Sequence, residues 1–387
     1  MSATESGSSQ QQNEDTIEQG ATPLELFFDL VFVFAFTQVT SFLSDHLTWT
    51  GMLQGTALLA ALWWAWVCYS WLTNAVPAEE AISARLVILS AMAAMLVVSL
   101  AVPDAFGEYG VLFGIAYFVV RLLHVVLYAL ATGHTPEMRQ AVLRLAPGLL
   151  GGPALLIVAG FLDSLAQGAL WAVALAIDYS VPLVRGVAGF RVQAGHFVER
   201  YGLIIIIALG ESIVAIGAAG LKLDPEVILA SFLGIVLAAA LWWAYFDYVV
   251  LAAERRLASA QGHERARLAR DSYSYLHLLM VASIVFIALG IKKTLAYVGD
   301  PLEVIPAVAL CGGAALYLVG HNAFRLRDVG SVSVPRLVVA VASCALIPVA
   351  MSTPALVTLA ILAVLLAALA AFETVRSREF RDKLRAH

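Results

Sequence analysis

The sequence contains few charged residues for its length, which argues against a soluble globular protein. Of its 387 residues only 13% are Asp, Glu, Lys or Arg, while 61% are hydrophobic. A soluble domain carries about 25% charged residues. Repeated apolar runs of about 20 residues are typical of transmembrane helices. The composition therefore predicts an all-α, polytopic membrane protein built as a helical bundle.

Cysteine is also scarce. Cys68, Cys311 and Cys344 each lie inside a separate apolar run, so we interpret them as packing residues and expect no disulfide framework. Residues 1–22 contain no Lys or Arg and so lack the basic start of a signal peptide. We expect this segment to be a disordered cytoplasmic tail.

The sequence lacks the short motifs that carry known enzyme chemistry. It has no His-Glu-x-x-His, no Cys-x-x-Cys, no Gly-x-Ser-x-Gly and no phosphate-binding glycine loop. No loop is long enough for a soluble catalytic domain. We therefore predict no catalytic residues, no metal site and no cofactor. The net charge of −5 gives no indication of a nucleic-acid partner.

About twelve apolar spans follow one another along the chain. They cover residues 24–44, 51–73, 82–102, 109–132, 141–161, 164–184, 200–219, 226–250, 272–293, 302–322, 334–353 and 354–374. The weakest boundary is the Ser-Thr-Pro sequence at 352–354. If a helix ran through it, the last two spans would merge and the count would be eleven.

The basic residues indicate the orientation of these spans. Of the 23 Lys and Arg residues, 19 fall on the side that holds both termini, Lys222, Lys292 and Lys293 fall on the other side, and Arg121 lies deep inside a span. This asymmetry predicts an inner-membrane protein with cytoplasmic N- and C-termini. We expect the basic segment 251–271 to contact anionic lipid headgroups on that side, and the residues after 375 to form a basic cytoplasmic tail.

An internal repeat divides the chain into two halves, 23–190 and 191–375. The second span of each half ends in a similar aromatic block, which reads Ala61-Leu62-Trp63-Trp64-Ala65 in one and Ala240-Leu241-Trp242-Trp243-Ala244 in the other. Because six is an even number, two six-helix repeats enter the membrane in the same sense. The pattern therefore predicts parallel repeats related by an axis near the membrane normal.

Glycine and proline interrupt corresponding spans of the two halves. Span five contains Pro147 and Pro153 with several glycines, and span eleven contains Pro348. Interruptions at matching positions can mark a binding site. The alternative is a kink that serves helix packing, which is common in membrane helices.

Ionisable residues inside the spans are the first candidates for function. Charges at this depth are costly and usually paired or functional. The primary candidates for transport or proton relay are Asp29, Arg121, His124, Asp178 and Glu211. We hypothesise that Arg121 is the counter-ion of Glu211 or of Asp178. The alternative for each charge is a structural ion pair that holds helices together.

Three further residues are secondary candidates. Glu25 shares a helix face with Asp29, although an acid in the first turn of a helix is also favoured for its own sake. The other two are His277 and His321, because histidine as a residue type titrates near neutral pH and can relay protons. A histidine inside a helix can instead be simply hydrogen bonded.

The chain resembles the LtrA family, the bacterial low temperature requirement A membrane proteins. The residues that carry the resemblance are Glu25-Leu26-Phe27-Phe28-Asp29-Leu30-Val31-Phe32-Val33, Trp63-Trp64, Glu199-Arg200-Tyr201-Gly202 and Gly210-Glu211-Ser212. The resemblance implies a membrane protein linked to growth in the cold, and it implies no particular reaction. The first motif is also similar, more weakly, to the motif that opens each repeat of the six-span lysosomal-type potassium channels.

These observations favour a transporter or channel for a small solute or ion, with proton coupling. Its path would lie between the two halves and be lined by the five primary candidates. Two alternatives stay open. One is an intramembrane lipid-handling enzyme with Glu211 or Asp29 as general base, and the other is a structural or sensory protein that supports growth at low temperature.

Overall fold

The fold is known from a computed structural model that describes residues 20–76, 81–132, 135–217, 224–247 and 249–376. These residues contain helices and connecting turns and no β-strand. The α-helices are α1 Pro23–Asp45, α2 Trp49–Ala75, α3 Ile82–Ala101, α4 Gly110–Ala131, α5 Pro136–Ala159, α6 Ser164–Arg185, α7 Ala194–Gly217, α8 Pro225–Phe246, α9 Val249–Ser259, α10 Gly262–Leu268, α11 His277–Ala296, α12 Val304–Ala307, α13 Gly313–Val329, α14 Val334–Ala345, α15 Ile347–Ala350 and α16 Ala355–Arg376. The structure confirms the predicted all-α polytopic bundle.

Two π-helical stretches and one 3₁₀ turn join some of these helices. Ala269–Leu276 is a π-helix that connects α10 to α11, and Val308–Gly312 is a second that connects α12 to α13. Val102–Asp104 is a 3₁₀ turn after α3. π-helical turns are rare and frequently lie at functional sites.

The start of α1 is set by its own sequence. Thr22 is the N-cap, its hydroxyl accepts the N–H of Glu25, and the Glu25 carboxylate accepts the N–H of Thr22 at 2.9 Å. Pro23 fits the first helical position, where no N–H is needed.

Residues 1–19, 377–387 and Lys222 lie outside the described residues, and with them nearly all of both predicted tails.

Within the described residues, eleven helical segments are long and apolar enough to cross a membrane. The twelfth predicted span corresponds to Val334–Ala350, which is apolar but shorter. The predicted break at 352–354 is present, because α15 ends at Ala350 and α16 begins at Ala355. The count of long spans is eleven and not twelve because this one segment is short. The last two predicted spans do not merge.

The short segment formed by α14 and α15 runs back along α13. Near its start, the Ser333 N–H donates to Asn322 Oδ1 at 2.7 Å. At its end, the Ala350 carbonyl accepts the N–H of Leu302 at 2.9 Å. Because Leu302 precedes α12 and Asn322 lies near the end of α13, the two ends of the segment lie at opposite ends of the preceding helical segment.

Helix α1 lies where the two predicted halves meet. It packs against α2 and α3 from its own half and against α7 and α11 from the other. In the second half α7 packs against α8 and α11, as α1 does against α2 and α3. This matching order is what duplication of a six-helix unit would produce, and the repeat stays a prediction.

The two tryptophan pairs occupy different environments. Trp63 and Trp64 are fully buried, and Trp63 Nε1 donates to the Ser274 carbonyl at 2.8 Å. Trp242 and Trp243 are 42% and 44% exposed. The difference arises because α2 contacts helices of both halves, among them α7 and α11, whereas this part of α8 faces outward.

Candidate functional site

Arg200 joins two carboxylates at the contact between α1 and α7. Its Nη1 lies 2.7 Å from Glu25 Oε1 and its Nη2 lies 2.8 Å from Asp29 Oδ1. His196 Nε2 lies 2.9 Å from Glu25 Oε2. These four buried residues, Glu25, Asp29, His196 and Arg200, are called the acid–arginine cluster below.

Helical spacing explains why these side chains meet. Glu25 and Asp29 are four residues apart on α1, so they project from one face. His196 and Arg200 have the same spacing on α7, which runs beside α1. A guanidinium group is a rigid fork that can hold oxygens of two carboxylates at once.

Side chains from α2 orient the cluster. Trp66 Nε1 donates to Asp29 Oδ1 at 2.9 Å. Asn74 Oδ1 accepts the N–H of Gln193, so its Nδ2 donates to His196 Nδ1 at 3.0 Å. A neutral His196 whose Nδ1 accepts a hydrogen bond carries its proton on Nε2, and this N–H donates a hydrogen bond to Glu25. The imidazole is therefore held in one tautomer, aimed at the carboxylate.

The cluster holds one more potential negative charge than positive charge. Two carboxyl groups face one guanidinium, and Asp29 Oδ2 has no hydrogen-bond partner among the described residues. Asp29 is 1% exposed. Leaving a buried ionised oxygen unpaired is costly, so the cluster is chemically suited to take up one proton or one cation.

An open groove adjoins the cluster. Its volume is about 380 Å³, and His196 forms part of its wall together with residues of α7, α8 and α9. His196 thus has one ring nitrogen on the buried Glu25 and lies in the wall of a space open to the outside. This arrangement gives the buried carboxylates a connection to one surface of the protein.

Glu211 lies further along the same pair of helices. Its Oε2 accepts a hydrogen bond from Thr37 Oγ1 of α1 at 2.7 Å. Because α7 begins at Ala194, six residues earlier than the predicted span, Glu211 is about 25 Å along the helix at 1.5 Å per residue. It therefore lies toward the end of α7, well beyond the midpoint that the predicted span implied.

Apolar residues lie along both helices between Glu211 and the acid–arginine cluster. On α1 these are Phe32 and Phe36, and on α7 they are Ile204 and Ala208, all four fully buried. The contact between α1 and α7 therefore has a polar group toward each end and an apolar section in the middle.

Arg121 and Asp178 form a second buried charge cluster, inside the first half. Arg121 Nη2 donates to Asp178 Oδ1 at 2.6 Å, and Tyr117 OH donates to Asp178 Oδ2 at 3.4 Å. Arg121 Nη1 also lies 2.6 Å from Cys68 Sγ. Of the two acids that we hypothesised as partners of Arg121, the structure places Asp178 beside it, and Glu211 contacts Thr37 instead.

Helix α2 separates the two clusters. Trp66 contacts Asp29, while Cys68 contacts Arg121. Residues two positions apart on an α-helix project about 200° apart, on nearly opposite faces. The five primary candidates therefore do not form one group: Asp29 and Glu211 lie on the α1–α7 contact, and the other three lie on the far side of α2.

The histidine candidates have distinct surroundings. His124 lines an apolar cavity of about 60 Å³, and neither ring nitrogen has a hydrogen-bond partner among the described residues. His277 is hydrogen bonded at both nitrogens, to Tyr245 OH at 2.8 Å and to the Ser272 carbonyl at 2.9 Å. His321 packs against Tyr317 without a hydrogen bond from either nitrogen to a described residue.

Sequence reasoning missed His196 and Arg200 as site residues. The seventh span is predicted to begin at residue 200, which places Arg200 at the cytoplasmic boundary and His196 outside the span. The signal was present in the sequence: His196 and Arg200 repeat the four-residue spacing of Glu25 and Asp29.

Within the part of the chain that the structure describes, no group of three or more His, Cys, Asp or Glu side chains is placed to hold a metal ion.

Comparison with known proteins gives the family. Residues 20–371 match the family model described as "Bacterial low temperature requirement A protein (LtrA)". The chain is also 32% identical over 324 residues to the uncharacterized protein RA0937 of Rhizobium meliloti (strain 1021), an alignment that covers 79% of this chain and 77% of that protein. No solved structure matches the chain significantly. The chain is thus an integral, multi-pass membrane protein that belongs to the LtrA family.

Proposed function

We propose that this protein is a proton-coupled transporter or channel for a small solute or ion, with its path along the contact between α1 and α7. The observation that carries the proposal is the acid–arginine cluster, in which Asp29 Oδ2 is buried without a hydrogen-bond partner among the described residues. Buried ionisable groups between membrane helices commonly mark ion or proton pathways.

His196 supplies the link between the cluster and solvent. It lies in the wall of the 380 Å³ groove and donates to Glu25. An imidazole can accept a proton at one nitrogen and release one from the other. A proton from the groove would reach Nδ1 of His196 when the hydrogen bond from Asn74 opens, and the proton on Nε2 would then pass to Glu25. Arg200 holds Glu25 and Asp29 together in one site.

The apolar section between the cluster and Glu211 closes the path on the other side. Phe32, Phe36 and Ile204 are fully buried there. A transporter that alternates access needs one closed barrier at any time, with the binding groups reached from one side only. The structure fits a state in which the cluster communicates with the groove and Glu211 does not.

We place the groove on the cytoplasmic face of the inner membrane. It lies at the end where α1 and α7 begin, and the distribution of basic residues predicts that this end is cytoplasmic.

The cation of the second cluster, Arg121, donates hydrogen bonds to both Asp178 and the backbone carbonyl of Trp64. We assign that pair to holding α2, α4 and α6 together, away from the path.

Flux measurements on purified protein in liposomes test the proposal. Proton flux driven by a pH gradient is followed with an internal pH dye, with Na⁺, K⁺ or Cl⁻ gradients added in turn. We expect wild-type protein to conduct, and Asp29→Asn and Glu25→Gln to fall to the level of protein-free liposomes.

The matched control is Glu373→Gln. Glu373 is a buried carboxylate that pairs with Arg336 at 2.8 Å, remote in sequence from the cluster. We expect this variant to keep its flux. Absence of flux from wild-type protein in every gradient, or equal loss in Glu373→Gln, would contradict the transport proposal and favour a structural role for the buried charges.

A further inference from the structure

The apolar cavity beside His124 opens at one end of the first half. Helices α2, α4, α5 and α6 contribute to its walls, together with the segment that follows α6 and the π-helix that precedes α11. Of the described lining residues, only Phe190 and Arg270 are partly exposed. The mouth of the cavity therefore lies between these two side chains, at the end of the bundle where α5 begins and α6 ends.

The inside of the cavity suits a short apolar group. Its surface is apolar, and the rings of Trp64, Trp71 and Tyr128 belong to its walls. Its volume is about 60 Å³, whereas one water molecule takes up about 30 Å³ in the liquid. The cavity therefore has room for about two water molecules, or for a hydrocarbon tail of roughly two or three carbon atoms. Removing such a tail from water favours binding.

Four guanidinium groups lie around the mouth, each held by a backbone carbonyl group. They donate hydrogen bonds from Arg270 to Pro182 at 3.0 Å, from Arg144 to Ala188 at 2.9 Å, from Arg185 to Arg144 at 2.6 Å and from Arg265 to Val192 at 3.3 Å. Pro182 itself lines the cavity, and Ala188 and Val192 flank the mouth residue Phe190 in the chain. A carbonyl group positions a guanidinium group without neutralising its charge, because it carries no net charge itself.

Little negative charge offsets these arginines. Among the described residues, no carboxylate lies within ion-pair distance of three of the four, which are Arg144, Arg185 and Arg265. Arg270 pairs with Asp271 at 2.6 Å, but the other oxygen of Asp271 lies 2.9 Å from Arg327 Nη2. One carboxylate thus serves two guanidinium groups. The surroundings of the mouth are therefore complementary to an anion.

We infer that the cavity and its mouth bind a small organic carboxylate, with the apolar tail inside and the carboxylate beside Arg270. The guanidinium group has five N–H donors. Arg270 directs Nε and Nη2 to Asp271 and Nη1 to Pro182, which leaves one N–H on each Nη for a ligand. Hydrogen bonds between such ionised partners are about twice as strong as neutral ones.

This site lies on the far side of α2 from the contact between α1 and α7. The cavity is lined by Cys68, which contacts Arg121 of the second charge cluster, and includes none of the residues of the acid–arginine cluster. The inference therefore does not rest on the proposed function, and its test measures binding and not transport.

Calorimetric titration of purified protein in detergent tests the inference, with titration of detergent alone subtracted. Butyrate is compared with butyramide, its neutral isostere. We expect butyrate to bind saturably and butyramide at least about tenfold more weakly, because the amide lacks the charge. Acetate has too short a tail and octanoate too long a tail for the cavity, so both should bind more weakly than butyrate.

Variants separate charge from shape. Arg270→Gln leaves Asp271 paired with Arg327, so the protein should fold, and it should weaken butyrate binding at least about tenfold. Val187→Phe keeps every arginine but fills the cavity, which Val187 lines, and should abolish binding. The matched control is Arg139→Gln, an exposed arginine of α5 outside the cavity lining, which should bind butyrate as wild-type protein does.

The outcomes decide the inference whatever the proton flux shows. It is overturned if wild-type protein does not bind butyrate saturably, if Arg270→Gln binds it equally well, or if butyramide binds as tightly as butyrate. Affinity that rises steadily from acetate to octanoate would also overturn it, because that trend indicates general partition of apolar chains. If gel filtration shows that Arg270→Gln does not fold, Arg185→Gln replaces it, because the Arg185 side chain is exposed, and it should weaken butyrate binding by a smaller factor.

Discussion

At the scale of single residues, Arg200 is the cation that compensates both carboxylates of the acid–arginine cluster. It is 1% exposed and lies between Glu25 and Asp29. A buried ion pair is a weak source of stability in itself, but removal of one partner leaves an uncompensated buried charge. Removal of the Arg200 guanidinium would leave two buried carboxylates without this counter-ion.

Arg200→Gln should therefore lower the free energy of unfolding by roughly 3–5 kcal/mol, the cost of breaking a buried pair. Adding Asp29→Asn to the same chain should recover part of this loss, because one of the unpaired charges is removed. Thermal or denaturant unfolding in detergent measures both variants.

The control for this experiment is Arg256→Gln. Arg256 pairs with Glu264 at the surface, where their side chains are 36% and 60% exposed, and such pairs contribute about 0–1 kcal/mol. If Arg200→Gln were no more destabilising than this control, the cluster would not hold α1 against α7.

At the scale of helices, close packing explains two of the glycines, Gly152 of α5 and Gly114 of α4. A Cβ on Gly152 would lie 2.7 Å from the Ala174 carbonyl of α6, and one on Gly114 of α4 would lie 2.7 Å from the Ile157 Cα of α5. Small residues let membrane helices approach in this way. For Gly152 of the fifth span the structure thus supports the packing interpretation over the binding-site interpretation, whereas no atom lies within 4 Å of a Cβ placed on Gly151.

Gly114→Ala should destabilise the protein by about 1–3 kcal/mol, because the methyl group meets backbone atoms that cannot move away easily. Gly151→Ala is the matched control, since nothing lies within 4 Å of its Cβ position. In a helix that change is neutral or stabilises by up to about 1 kcal/mol. Midpoints of thermal unfolding in detergent compare the two, and equal midpoints would rule out close contact between α4 and α5.

The π-helix Ala269–Leu276 is an element that no periodicity in the sequence indicated. It places Ser274 against three aromatic side chains at once: its hydroxyl oxygen lies 2.9 Å from Trp71 Nε1 and 3.2 Å from Tyr201 OH, and its carbonyl accepts Trp63 Nε1. Trp63 and Trp71 belong to the first half, so this one residue connects both halves through hydrogen bonds.

At the scale of the whole molecule, the short segment Val334–Ala350 determines on which side the chain ends. Its two ends lie beside Asn322 and Leu302, at opposite ends of the preceding helical segment. We therefore expect it to cross the membrane despite its length, with local thinning of the bilayer or snorkelling of the flanking side chains. Twelve crossings return the chain to the side from which α1 starts.

Reporter fusions test this topology. A fluorescent protein joined after His387 should fluoresce and an alkaline phosphatase joined there should be inactive, because both report a cytoplasmic C-terminus. A phosphatase joined at 299, between α11 and α12, should be active and serves as the internal control. An active phosphatase after His387 would mean an odd number of crossings.

The sequence alone determined the class of this protein and the approximate positions of its helices. Long apolar runs must avoid water, and the cost of exposing backbone groups in lipid leaves helices as the simplest solution, so composition and length were sufficient. The N-cap at Thr22 and the shared face of Glu25 and Asp29 are equally local and could be predicted.

Only the tertiary structure determined which buried charges meet. Pairing depends on which helices are neighbours and on their rotation, and apolar helix surfaces in lipid carry little sequence information about either. Arg121 could have paired with Glu211 or with Asp178, and the packing of α4 against α5 and of α5 against α6 brought Asp178 to it. The packing of α7 on α1 brought His196 and Arg200, which the sequence reading had placed at a loop boundary, onto Glu25 and Asp29.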